Sequence, residues 1–98
     1  GYNNHIASVR EVTIGDSVLT ANNIYISDNI HEYKSITKPI IEQPIRFKGA
    51  VEVGAGAWIG ENVSITGASV GKKSVIEANS VVMRDISDYC DAGGAQLY

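Results

Sequence analysis

The chain has 98 residues, 44% of them hydrophobic and 19% charged, with a formal net charge of -3. That length holds one domain, and mild acidity with no basic cluster speaks against nucleic acid as a partner. The single cysteine, Cys90, excludes an intramolecular disulfide and suits a reducing compartment. No apolar run approaches the ~18 residues of a membrane span and no signal peptide opens the sequence, so a soluble cytoplasmic protein without a membrane partner is expected.

Gly1 to His5 reads as a polar lead-in. From Ile6 onward a period of six appears: Ser8, Ile14, Thr20 and Ile26 form one inward set, with Ile6, Val12, Val18 and Ile24 two residues earlier. A helix needs apolar recurrence near 3.6 residues and a simple strand alternates by two, so neither explains a period of six. It matches the hexapeptide signature of a parallel β-helix, in which three short faces make a coil of about 18 residues. Gly15 and the pair Asn22-Asn23 supply corners, where Gly and Asn tolerate a positive φ. Residues 6–28 therefore read as coil.

At Asp28 the period fails. His31-Glu32-Tyr33-Lys34 is charged and aromatic, Ile36, Ile40, Ile41 and Ile45 do not keep to sixes, and Pro39 and Pro44 lack ladder donors. Residues 29–49 read as an excursion loop. Roughly twenty residues is long for a mere connection, and loops leaving a solenoid often carry its function.

The sixes resume with Val53, Ile59 and Ile65, then Val70, Ile76 and Val82, so residues 50–86 read as further coils. The step from Ile65 to Val70 is five, which predicts a locally distorted corner at Thr66-Gly67-Ala68-Ser69 rather than a slip that turns inward side chains outward. Residues 87–98 read as an irregular tail, and Gly93-Gly94 disfavours a helix there. The expectation is a single all-β domain over residues 1–98, a parallel β-helix of about three coils with one excursion loop. So short and narrow a prism gains from self-association.

With the sixes in place, several strings resemble the hexapeptide-repeat acyltransferases. They are Val12-Thr13-Ile14-Gly15-Asp16-Ser17-Val18-Leu19, Ile24-Tyr25-Ile26-Ser27-Asp28, Trp58-Ile59-Gly60-Glu61-Asn62-Val63, and the run from Val75 to Ile86. Within that family the likeness is greatest to the galactoside and maltose O-acetyltransferases and to those that decorate bacterial lipopolysaccharide. The resemblance spans nearly the whole chain. It implies a left-handed parallel β-helix, a homotrimer with active sites between subunits, acetyl-CoA as acyl donor and a sugar hydroxyl as acceptor.

The same resemblance implies site residues. His31 stands where the family's catalytic histidine does. The lipopolysaccharide branch reads Asp-His-Asn-His-Gly, and Asp28-Asn29-Ile30-His31-Glu32 keeps the second histidine and loses the first. The coenzyme contacts fall on Gly60, Glu61, Ala78, Met83 and Arg84, with Arg84 a charge-assisted partner for phosphate. Glu61 replaces a small hydroxyl of the galactoside enzymes. Trp58 and Tyr33 are candidates beside the acceptor, and Asn3 and Asn4 are the loose counterparts of an acceptor-orienting asparagine. The bland readings stand beside these: solenoid packing for Ala78 and Trp58, a solvated surface for Arg84, an anchored loop for Tyr33.

The chemistry agrees with a histidine. A sugar hydroxyl is a poor nucleophile at neutral pH, and imidazole, with an unperturbed pKa near 6.5, suits the general base that takes its proton. One ring nitrogen must face the hydroxyl while an acceptor holds the other; Glu32, Asp28 and a backbone carbonyl are the alternatives.

Three departures from the family stand out, of which the missing N-terminal half and the altered ending favour a rival reading, a catalytically inactive, truncated scaffold or binding module. The family's N-terminal half has no counterpart, the orienting asparagine falls at the chain's start, and the usual ending has become Asp91-Ala92-Gly93-Gly94-Ala95-Gln96-Leu97-Tyr98, without its lysine. A γ-class carbonic anhydrase shares the fold but needs three zinc-binding histidines, and this chain has two in all, so no metal is expected.

Overall fold

A computed structural model of the chain describes residues 1–93. In chain order the strands are β1 (His5–Ala7), β2 (Val12–Ile14), β3 (Leu19–Thr20), β4 (Tyr25–Ser27), β5 (Asn29–His31) and β6 (Ile45–Phe47). They continue with β7 (Val51–Val53), β8 (Trp58–Ile59), β9 (Ser64–Thr66), β10 (Val75–Ile76), β11 (Val81–Val82) and β12 (Asp91–Ala92). Strands this short belong to the flat faces of a solenoid. All inter-coil pairings are parallel, and they build an elongated prism of 44 × 25 × 25 Å.

Register shows which side chains form the core. On the first face Ile6, Ile26, Ile65 and Val82 lie in one column through β1, β4, β9 and β11. The second stacks Ile14 on Val53, and bridges carry the column on to Val70 and Ile86. The third stacks Thr20, Ile59, Ile76 and Ala92 through β3, β8, β10 and β12. Ile59, Ile65 and Ile76 are wholly buried, each worth about 1.5–3 kcal/mol relative to exposure. From Val51 to Val82 the sixes are therefore the core itself, whereas Ile6 and Ile14, read as inward in the first coil, are 52% and 40% exposed. At the tightened corner Gly67 takes φ +60°, Ala68 stays buried and Val70 keeps its pairing with Val53, so the inward phase survives.

Four sequence-based details are corrected. Ile6, not Ser8, shares the column of Ile26. The step from Ile6 to Ile26 is twenty residues, and the additional chain bulges at Ser8–Glu11 around the Asp28 carboxylate. Gly15 is not a positive-φ corner; that conformation falls on Ser17 and Asn23. Gly15 is required by close approach instead, since a Cβ there would stand 2.8 Å from the Ala55 nitrogen. The segment 87–98 is not irregular throughout, because β12 pairs with β10. The part of that tail from Gly94 onward lies outside the described residues.

The fourth correction concerns residues 29–49, which carry structure of their own. β5 and β6 form an antiparallel ribbon pairing Asn29 with Phe47 and His31 with Ile45. A 3-10 turn (Ile40–Glu42) closes its far end. Pro44 is tolerated because its carbonyl, which accepts the Glu32 N–H at 2.8 Å, does the pairing that its missing donor cannot. Among the described residues, no helix is long and apolar enough to cross a membrane, and no group of three or more His, Cys, Asp or Glu is placed to hold a metal.

Candidate functional site

Two edges of the prism carry the candidate residues. The first lies where the chain turns from the first face to the second, and it begins with Asp28. This side chain is completely buried, which alone would push its carboxyl up. The Asn29 amide and the backbone N–H groups of Val9, Arg10 and Glu11 outweigh that and hold it well below the usual carboxylate range. The Asp28 carbonyl accepts the Lys48 N–H at 2.7 Å, closing the base of the ribbon. Arg10 lies over the Phe47 ring at 4.7 Å and ties β6 back to the first coil.

On that base stands His31, exposed, at the end of β5. Its Nδ1 is 3.1 Å from the backbone carbonyl oxygen of Gln43. A carbonyl can only accept, so Nδ1 carries the hydrogen in the neutral ring and the lone pair resides on Nε2. Of the three orienting partners left open by the sequence, the structure selects the backbone carbonyl. Glu32 is engaged by Arg46 across the ribbon, and Asp28 is committed to the first coil. Tyr33 is exposed beyond His31, and Met83 and Arg84 are exposed at the same edge, further along the prism after β11.

The second edge lies between the third face and the first. A groove of about 330 Å³ runs there over Ala21, Trp58, Gly60, Glu61, Glu77 and Ala78, with Val75 and Ile76 as floor. Four candidates thus come together: Trp58, Gly60, Glu61 and Ala78. Trp58 is half exposed and outward on β8, between Leu19 and Val75. Gly60 permits the coils to close up, since a Cβ on it would stand 2.7 Å from the Ala78 nitrogen. The Glu77 carboxyl at the rim is raised above its ordinary value by a hydrogen bond with Asp91, then by that residue's like charge and by burial.

His31, Tyr33, Met83 and Arg84 do not reach this groove within one chain, because the first face separates the two edges. Asn3 and Asn4 do not reach His31 either. Asn3 is a corner residue with φ +56°. The Asn4 amide donates to Thr20 Oγ1 and the Ala21 carbonyl, and its oxygen accepts the Ile24 N–H. As site residues, sequence reasoning missed Gln43 and four that line the groove, Ala21, Val75, Ile76 and Glu77. Ala21 and Glu77 were within reach of the repeat, because each follows an inward member of the third face. Gln43 gave no signal, since it lies outside any period.

A family profile described as the hexapeptide repeat of succinyl-transferase matches residues 50–84. Residues 50–84 therefore carry the hexapeptide repeat of that family. A Mycobacterium tuberculosis protein named a probable acetyltransferase is 41% identical to this hexapeptide-repeat chain over 96 residues, covering 97% of it and 32% of the relative. An Escherichia coli protein whose name assigns it to lipopolysaccharide biosynthesis as an O-acetyl transferase is 37% identical over 91 residues, covering 86% and 46%. The crystal structure of a maltose O-acetyltransferase from Clostridium difficile 630 superposes with a TM-score of 0.65 at 28% identity, covering 95% of this chain and 55% of that one. Such neighbours imply that the parallel prism winds left-handed, as the repeat family does. The chain spans 32% and 46% of the length of these two curated relatives.

Proposed function

We propose that this hexapeptide-repeat chain carries the acetyl-transfer machinery of an O-acetyltransferase, moving acetyl from acetyl-CoA to a sugar hydroxyl with His31 as general base. The observation that carries this reading is the hydrogen bond from His31 Nδ1 to the Gln43 carbonyl, which presents Nε2 as an acceptor on an exposed edge. Nε2 takes the hydroxyl proton as the sugar oxygen bonds to the thioester carbonyl carbon. The tetrahedral oxyanion then collapses, the C–S bond breaks, and the imidazolium returns the proton to the departing thiolate. Backbone N–H groups of a flat coil are suitable donors to that oxyanion.

The groove suits the donor. Ala21, Gly60 and Ala78 bring no bulk, so an uncharged pantetheine arm can lie along the backbone beside Trp58, with Glu61 at the rim. Arg84, beside Met83, is the proposed phosphate partner. Because the groove and His31 stand on different edges of one prism, we place the complete site between copies in a homotrimer, where one subunit's ribbon faces the next subunit's groove. Tyr33 then lies towards the acceptor. Asn3 and Asn4 are accounted for by their corner and are not used. Acetyl-CoA as donor puts the reaction in the cytoplasm.

The experiment is isothermal titration of acetyl-CoA into the protein, alongside its molar mass in solution. Saturable binding to a trimer, unchanged in His31→Ala, is the expected result. A folded protein with no detectable binding would overturn the proposal.

A further inference from the structure

We propose that Gln43 is a positioning residue for His31: its side chain cross-links the ribbon so that its own carbonyl locks the imidazole as the Nδ1–H tautomer. Among residues 29–49 it is the only buried one, 5% exposed in a segment where Ile36, Ile40, Ile41 and Ile45 are exposed. Ile36 is 99% and Ile41 85% exposed, so no apolar cluster organises this segment. The primary amide organises it instead. Nε2 donates to the Lys38 carbonyl at 2.9 Å and the Ser35 carbonyl at 3.3 Å, and Oε1 accepts the Ser35 N–H at 3.4 Å. Both amide hydrogens and the amide oxygen are used, which is the condition for burying such a group.

The same residue's backbone closes the turn. Gln43 N–H donates to the Ile40 carbonyl at 2.9 Å, and Gln43 itself is extended, with φ -88° and ψ 149°. Its carbonyl then points across the ribbon to His31 Nδ1. Side chain and main chain are thus two halves of one clamp. The side chain draws residues 35–38 onto the turn, and the fixed turn aims the acceptor. Without the clamp an exposed histidine interchanges tautomers, and the Nε2–H form that free imidazole side chains favour is a donor where a base is required. The kinetic consequence rests on the reading of His31 as base; the tautomer does not.

The test is long-range proton–nitrogen correlation of the 15N-labelled protein above the histidine titration, for wild type, Gln43→Met and Gln43→Ala. Wild-type His31 is expected to show a protonated Nδ1 and an unprotonated Nε2, and both variants to revert to predominantly Nε2–H. His5 and the prism amides report folding in the same spectra. In acetyl transfer, Gln43→Met is expected to lower kcat about 10- to 100-fold with acceptor KM within about twofold. A wild-type His31 in the Nε2–H form, or a Gln43→Met protein retaining Nδ1–H, would overturn the proposal. The wild-type spectrum can overturn the proposal even where a variant fails to fold. Full transfer by His31→Ala would defeat the base assignment alone and leave the tautomer result standing.

Discussion

Asp28 Oδ2 lies 2.8 Å from the backbone nitrogen of Glu11, seventeen residues earlier, and the same carboxylate gathers the N–H groups of Val9 and Arg10 and the Ser8 hydroxyl. This one buried charge fixes the first coil's bulge on one side and the root of the His31 ribbon on the other. Hydrogen bonds to a charged acceptor contribute about 1.5–3 kcal/mol each, and orphaned donors cost more. Asp28→Ala should therefore lower unfolding stability by about 2–4 kcal/mol in a urea titration. The folded-state carboxyl is held below its unfolded value, so its stabilisation is present above about pH 4 and is lost as pH falls further. Asp28→Ala should remove much of that acid dependence, and an unchanged acid limb would contradict the assignment.

Gly60 fails to accommodate any side chain, because its missing Cβ would stand 2.7 Å from Ala78 N and 2.8 Å from Ile76 O, both backbone atoms. The coils would have to part. Gly60→Ala should cost about 1–3 kcal/mol, read as a fall in the urea midpoint. A midpoint equal to wild type would show that the coils separate freely.

Ala78 offers the complementary experiment. It is exposed at the groove, so Ala78→Leu should change stability by less than about 0.5 kcal/mol. The added bulk fills the place proposed for the pantetheine arm, and acetyl-CoA affinity should fall at least about tenfold, or 1.4 kcal/mol. Titration of both proteins checks this. Undiminished affinity would move the donor site elsewhere.

The core was legible because a solenoid repeats one local decision: Ile59, Ile65, Ile76 and Val82 are all at 0% exposure where the sixes place them. The groove was partly legible through the family resemblance, which implied site roles for Trp58, Gly60, Glu61 and Ala78. Legibility ended where periodicity did. Counting back in sixes from Ile26 put Ser8 inward, and nothing local announced that Asp28 would hold a longer bulge. The ribbon's order depends on one amide reaching residues 35 and 38, which no apolar pattern encodes. Whether His31 would be held by Glu32, Asp28 or a carbonyl depended on which carboxylates other groups had already engaged, and that is a property of the assembled edge.

The most direct test of the acetyl-transfer account is thioester consumption from acetyl-CoA across a panel of sugar acceptors, wild type beside His31→Ala. The account predicts acceptor-dependent turnover by wild type and a loss of about 10²–10⁴-fold in His31→Ala, with acetyl-CoA binding preserved. Equal turnover by the two proteins would show that His31 is not the base.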